Sequence, residues 1–264
     1  MDSSDKNKRA FLRPYIREHK AVFVVYVVLR LIVLACMVLA AAEKEWESVF
    51  VCILVLLLFL VPDFLARKLD LRFPSALQII ILLFIFAAEI LGELGNYYIQ
   101  YPNWDTLLHI TWGFLCAAIG FSLVDILNRD SRVKLQLSPL YLALAAFCFS
   151  MTIGVFWEFF EFFADRVLGL DMQKDTVIHA FRSVMLDPTM SNIPVEVAGI
   201  ADVAVNGESL GLGGYLDIGL YDTMEDLFIN FVGAALFSLV GFIDARRDGR
   251  SRLTAALVPK IREE

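Results

Sequence analysis

Val49-Phe50-Val51-Cys52-Ile53-Leu54-Val55-Leu56-Leu57-Leu58-Phe59-Leu60-Val61 carries no charge, no hydroxyl and no side-chain amide. Runs of similar character flank it at Ala21–Leu29 and Ile79–Ala88. A membrane-crossing helix needs roughly 20 mostly apolar residues, because the hydrocarbon core is about 30 Å thick. Extending this reading along the chain predicts six spans: Ala21–Ala42, Val49–Ala66, Ser75–Leu94, Trp104–Leu127, Pro139–Ala164 and Thr223–Asp244. In lipid each backbone N–H and C=O must pair within its own segment, so the spans are helices. The expected class is therefore all-α, a polytopic membrane protein with six transmembrane helices.

Composition points the same way. Of 264 residues 58% are hydrophobic and mean hydropathy is +0.65. A soluble domain holds about 45–50% apolar residues. Pro74 and Pro139 stand at predicted helix starts, where a missing N–H costs least. Pro62 is expected to bend or end the second span. Cys36, Cys52, Cys116 and Cys148 lie in apolar runs without a CxxC pair and read as packing residues. The apolar run after the basic segment 1–20 is about 20 residues, longer than the roughly 7–15 of a signal peptide core, so an uncleaved first span is expected.

Basic residues set the expected orientation. Lys6, Lys8, Arg9, Arg13, Arg17 and Lys20 precede the first span. Arg67, Lys68 and Arg72 follow the second, and Arg129, Arg132 and Lys134 follow the fourth. The C-terminal stretch adds Arg246, Arg247, Arg250, Arg252, Lys260 and Arg262. Lys44, Arg166, Lys174 and Arg182 alone fall on the opposite side. The expectation is N-in and C-in, which fits an even number of spans. Residues 1–20 and 245–264 then form basic cytoplasmic tails around a membrane domain, 21–244. The long connection 165–222, between helices 5 and 6, is extracytoplasmic. It contains Gly207, Gly211, Gly213, Gly214 and Gly219, and its apolar residues Ile193, Val195, Val197, Ile200, Val203 and Val205 argue for a hairpin or cap rather than full disorder. Membrane lipids are the expected partners. The net charge of −7 gives no reason to expect nucleic acid.

Ionisable residues inside spans are costly and mark function by default. Asp105 and His109 are four apart on the fourth span. Glu158 and Glu161 are three apart on the fifth. Asp222, Asp226 and Asn230 recur every four residues on the sixth, and Glu89 and Glu93 are four apart on the third. Residues three or four apart share a helix face. At about 1.5 Å rise per residue, His109, Glu158 and Asp226 each lie roughly 9–10 Å outward of their span's middle. Asp105, Glu161 and Asp222 lie higher, at roughly 13–17 Å. A shared depth on three helices predicts one polar pocket in the outer half of the membrane. Asp105, His109, Glu158 and Asp226 are its expected innermost residues, with Glu161, Asp222 and Asn230 orienting them. One imidazole among carboxylates suits a divalent cation, with His109, Glu158 and Asp226 as its ligands. The bland alternative is a hydrogen-bonded network that joins helices. Such bonds average below about 1 kcal/mol, whereas a charge at the bilayer centre costs about 2.5–3.5 kcal/mol on the insertion scale. Arg30, mid-way along the first span, is expected to pair with Glu89.

Three segments carry a resemblance: Tyr101-Pro102-Asn103-Trp104-Asp105-Thr106-Leu107-Leu108-His109, Phe156-Trp157-Glu158-Phe159-Phe160-Glu161-Phe162 and Tyr221-Asp222-Thr223-Met224-Glu225-Asp226-Leu227-Phe228-Ile229-Asn230-Phe231-Val232-Gly233. Together they resemble the YjdF-like bacterial inner-membrane proteins, a family of unknown function, and more distantly the VanZ-like proteins. The VanZ-like pattern is an acid–x–x–x–His on one span, a Glu on the next and Asp–x–x–x–Asn–x–x–Gly on the last. Asp105, His109, Glu158, Asp226, Asn230 and Gly233 fall on it. Asp222, Glu161 and the Asp171-Met172-Gln173 turn fit the YjdF-like form. The resemblance covers spans four to six and implies an envelope-related role without fixing a reaction.

The leading functional expectation is binding or processing of a lipid-linked or envelope substrate, such as a lipid-linked envelope precursor, with Asp105 or Asp222 as general base. The alternatives are a proton- or ion-coupled transporter, which needs the polar stripe to continue inward, and a structural protein that binds partners through its outer loop.

Overall fold

The computed structural model describes residues 20–68, 71–129, 137–247 and 252–261. The expected N-terminal tail up to residue 19 therefore lies outside the described residues, as do Arg132, Lys134, Arg250 and Arg262. Six helices are long and apolar enough to cross a membrane: Lys20–Glu43, Trp46–Lys68, Ser75–Leu94, Trp104–Asn128, Pro139–Leu168 and Leu220–Arg246. They are spans 1 to 6, and the protein is an all-α polytopic membrane protein. Each matches its predicted segment to within a turn or so. Short strands β1 (Leu71–Arg72), β2 (Thr176–Ile178), β3 (Ala180–Ser183), β4 (Val195–Ala198), β5 (Ala204–Val205), β6 (Glu208–Ser209), β7 (Tyr215–Asp217) and β8 (Lys260–Ile261) complete the chain.

Two compact units divide it, 1–151 with 229–264, and 152–228. In the first, span 4 is the most enclosed helix: half of its apolar window is buried, against 11% for span 1. The outward residues of span 1, among them Phe23, Val24, Leu31 and Leu39, are apolar and exposed, as lipid-facing residues should be. One buried cluster joins Leu29 and Val33 of span 1 to Cys52, Val55 and Phe59 of span 2 and to Leu82 and Ile90 of span 3. A second joins Leu77, Leu115, Ala117, Phe121, Ala146, Ala234 and Phe237. The Phe237 ring meets Phe114 edge-on at 5.1 Å between centroids.

Spans 4 and 6 approach closely because glycines stand at their crossing. A Cβ at Gly113 would overlap the Asn230 carbonyl, and one at Gly233 would overlap the Ile110 carbonyl. Small residues let backbones approach in the same way at other membrane helix crossings.

Span 2 breaks where Pro62 predicts. Phe59 and Leu60 form a turn before the helix resumes at Val61, since proline lacks an N–H and crowds the preceding turn. Leu60 donates to Leu57 instead of to Leu56. The carbonyl of Leu56 accepts from Arg30 Nη2 at 3.4 Å, and the guanidinium lies over the Tyr26 ring at 4.6 Å. This corrects the expected ion pair: among the described residues none joins Arg30 to Glu89. A backbone carbonyl and an aromatic face hold the guanidinium without a second buried charge, while its buried Nε makes no hydrogen bond. Glu89 sits on a π-helical stretch, Phe86–Leu94, together with Glu93.

The C-terminal stretch is more than a tail. Helix Arg252–Leu257 and strand β8 dock back, β8 pairing antiparallel with β1. Val258 and Pro259 are fully buried. Ser122 donates to the Pro259 carbonyl at 2.8 Å, and Thr254 donates to Asp244.

In the second unit the connection 165–222 folds into antiparallel hairpins, β2 with β7, β3 with β4 and β5 with β6. Asn206 and Gly207 both take positive φ between β5 and β6, the conformation that two-residue hairpin turns favour.

Candidate functional site

The second unit brings three acids together. Glu158 and Glu161, three apart on span 5, share a helix face, and span 6 supplies Asp226. One carboxylate oxygen from each lies within 4.8 Å of the others. All three are buried, at 5%, 7% and 4% exposed. Trp157 Nε1 donates to Glu161 Oε1 at 2.8 Å, so the indole does more than pack in the aromatic run. Two unit charges about 5 Å apart repel by roughly 3 kcal/mol at an effective dielectric constant of about 20. Carboxylates at that spacing repel one another, and a cation among them would offset the repulsion. Carboxylate oxygens are hard donors and suit Mg²⁺, Ca²⁺ or Mn²⁺.

Beside the triad, the ends of spans 5 and 6 grip the start of the long connection. Asp165 lies on a π-helical turn, Ala164–Leu168, that closes span 5. It accepts the Met172 amide at 2.6 Å and the Gln173 amide at 2.9 Å. Asp222 accepts the Lys174 amide at 2.8 Å, and the Gln173 side chain donates to the Thr223 hydroxyl. Asp222 therefore holds the Asp171-Met172-Gln173 turn in place. That suits an orienting role better than a general base. Asp217 accepts the Tyr221 amide at 2.9 Å and caps the start of span 6. Asp175 lies within this acidic stretch. Loss of water contact, then the charges of Asp171, Asp217 and Asp165, push its pKa up against the opposing effect of Lys174.

The first unit holds the other predicted residues. His109 Nε2 lies 3.7 Å from Asp105 Oδ1, one turn away on span 4. His109 is 9% exposed. Asn230 is 1% exposed, and its Nδ2 donates to the Met151 sulfur at 3.5 Å. Ser150 donates to the Gly113 carbonyl at 2.8 Å, fixing span 5 to span 4 below His109.

Each predicted residue thus sits in one of two groups: Glu158, Glu161, Asp226 and Asp222 in one unit, and Asp105, His109 and Asn230 in the other. Within each unit the helical spacing read from the sequence is the spacing observed. Sequence reading missed the Trp157 bond and the role of Asp165. It also missed Asp187, where Asp-Pro-Thr signals a side-chain-capped turn.

A match to the family described as predicted membrane protein (DUF2238) covers residues 24–247. No curated protein and no solved structure matches the chain. The match spans most of the sequence, and the chain belongs to that family.

Proposed function

We propose that this DUF2238 protein binds a divalent cation at Glu158, Glu161 and Asp226, and through it a phosphate-bearing lipid-linked or envelope substrate. The supporting observation is the mutual approach of three buried carboxylates to within 4.8 Å. His109 and Asp105 are assigned to the same function, as the pair that handles a proton. An imidazole backed by a carboxylate suits acid–base work near neutral pH. Asp222 orients the turn beside the acids through the Lys174 amide. A bound cation would supply charge neutralisation and Lewis acidity. The resemblance to YjdF-like and VanZ-like proteins supports an envelope role in a bacterial plasma membrane. The excess of basic residues in the tails supports N-in and C-in, with the acids toward the outer side.

Transport is the weaker reading. Asp125 and Asp244 are buried at the far ends of spans 4 and 6. Asp244 is engaged by Thr254 of the docked C-terminal segment, which also covers Ser122. Asp244 therefore serves docking.

A cation that binds the folded state raises stability by about 2.7 kcal/mol at a hundred times its dissociation constant. Thermal unfolding in mild detergent, with Mg²⁺, Ca²⁺, Mn²⁺ or Zn²⁺ added, should show a rise for the wild type. The rise should vanish in Asp226→Asn and Glu158→Gln. Equal responses in all three proteins would end this proposal.

A further inference from the structure

The β3–β4 loop presents a surface that the proposed cation site does not use. Residues 183–195 contain one ionisable group, Asp187. That group is turned inward. Its Oδ1 accepts from the Thr189 amide at 2.9 Å and the Thr189 hydroxyl at 2.6 Å. Its Oδ2 accepts from the Ser191 amide at 2.8 Å and the Ile193 amide at 3.1 Å. Only 8% of the residue remains exposed. The tip therefore offers no free charge to its surroundings. What it offers is Val184, Met185, Leu186, Met190 and Ile193. Met185 is 88% exposed and Met190 93%.

Behind this tip the character changes at once. Arg182 and Glu196 form an ion pair at 2.9 Å across β3 and β4. One residue further back, the rings of Phe181 and Tyr215 meet at 5.2 Å between centroids, tilted by 46°. A neutral apolar tip backed directly by a charged pair gives the change from apolar to polar that a segment dipping shallowly into a bilayer interface requires. Methionine is flexible and polarizable, and fills irregular apolar surroundings well. The six spans tether the loop to one bilayer, so lipid is the apolar phase present at the highest effective concentration.

We propose that the Val184–Ile193 tip inserts into the interface of the bilayer that holds the spans, as a peripheral lipid-binding finger. The Asp187 turn is then the device that keeps the one charge and four backbone or hydroxyl donors from meeting lipid unpaired.

The test uses full-length protein with Cys36→Ser and Cys148→Ser, reconstituted in phosphatidylcholine–phosphatidylglycerol vesicles. A spin label is placed at Met190→Cys, at Met185→Cys in a second sample, and at Glu208→Cys on the β5–β6 turn as a water-exposed reference. Collision with oxygen, which concentrates in lipid, is compared with collision with a water-soluble nickel chelate. Oxygen should dominate several-fold at 185 and 190, and nickel should dominate at 208. Nickel accessibility at 185 and 190 equal to that at 208 would place the tip in water and overturn the proposal. Shielding from both reagents would overturn it in favour of a protein partner or a second copy.

Discussion

Single atoms decide several features of this protein. At Gly233 a side chain would overlap a carbonyl of the facing helix, and a backbone atom cannot step aside as a flexible side chain can. Overpacking of this kind costs about 1–3 kcal/mol. Gly233→Val should lower the thermal midpoint by several degrees, and an unchanged midpoint would show that the crossing tolerates a wider spacing. Asp187 is a second case. The Thr189 hydroxyl and then the amides of Ile193, Thr189 and Ser191 hold its carboxyl at a pKa of about 2, below the usual 3.8. A depressed carboxyl pKa stabilises the fold above the unfolded value. That contribution is fully present above about pH 4 and is lost as pH falls through about 2. Amide resonances of Thr189, Ser191 and Ile193 should titrate with a midpoint near 2. A midpoint near 3.8 would mean the turn leaves Asp187 in ordinary solution.

Among the elements, the two π-helical stretches carry acids out of the α-helical register. The one at Ala164–Leu168 bears Asp165, whose two oxygens each accept an amide of the following turn. Hydrogen bonds to a charged group contribute about 1.5–3 kcal/mol each. Asp165→Ala should therefore speed amide exchange at Met172 and Gln173 by more than about tenfold. Exchange at wild-type rates would assign the turn's order to Asp222 and Thr223 instead. The spans were legible in the sequence because each is a sustained apolar run, and lipid allows such a run one backbone solution. The break in span 2 was legible because Pro62 enforces it locally. The hairpins of the long connection were legible only in outline. Asn206-Gly207 marks one turn, but which strands pair depends on contacts between distant residues. The docked C-terminal segment was not legible at all. Its basic residues read as solvated charge, while Val258 and Pro259 are covered by elements far away in sequence. Arg30 shows the same limit. Its carbonyl partner was freed by a proline on another span, a coupling no periodicity reveals.

At the scale of the whole molecule, polar residues are concentrated where helices meet, and the lipid-facing surface is left apolar. Helical spacing alone predicted that Glu158 and Glu161 would share a face, and the depth argument put Asp226 at the level of Glu158, with Glu161 higher. Those three are together in the structure. The depth argument also put His109 at the level of Glu158 and Asp226, with Asp105 higher, and the proposed function gives that pair the proton. Glue between helices gives little reason to crowd three buried acids, since each close pair of charges costs roughly 3 kcal/mol. A cation among them removes that cost. The most direct measurement is elemental analysis of the protein purified in mild detergent, comparing wild type with His109→Ala, Glu158→Gln and Asp226→Asn. A divalent metal at about one per chain, retained by the wild type and lost from Glu158→Gln and Asp226→Asn, is the predicted result, and its loss from His109→Ala as well would make the imidazole a ligand. Wild-type protein that carries no divalent metal, even after dialysis against Mg²⁺, Ca²⁺, Mn²⁺ and Zn²⁺, would contradict it.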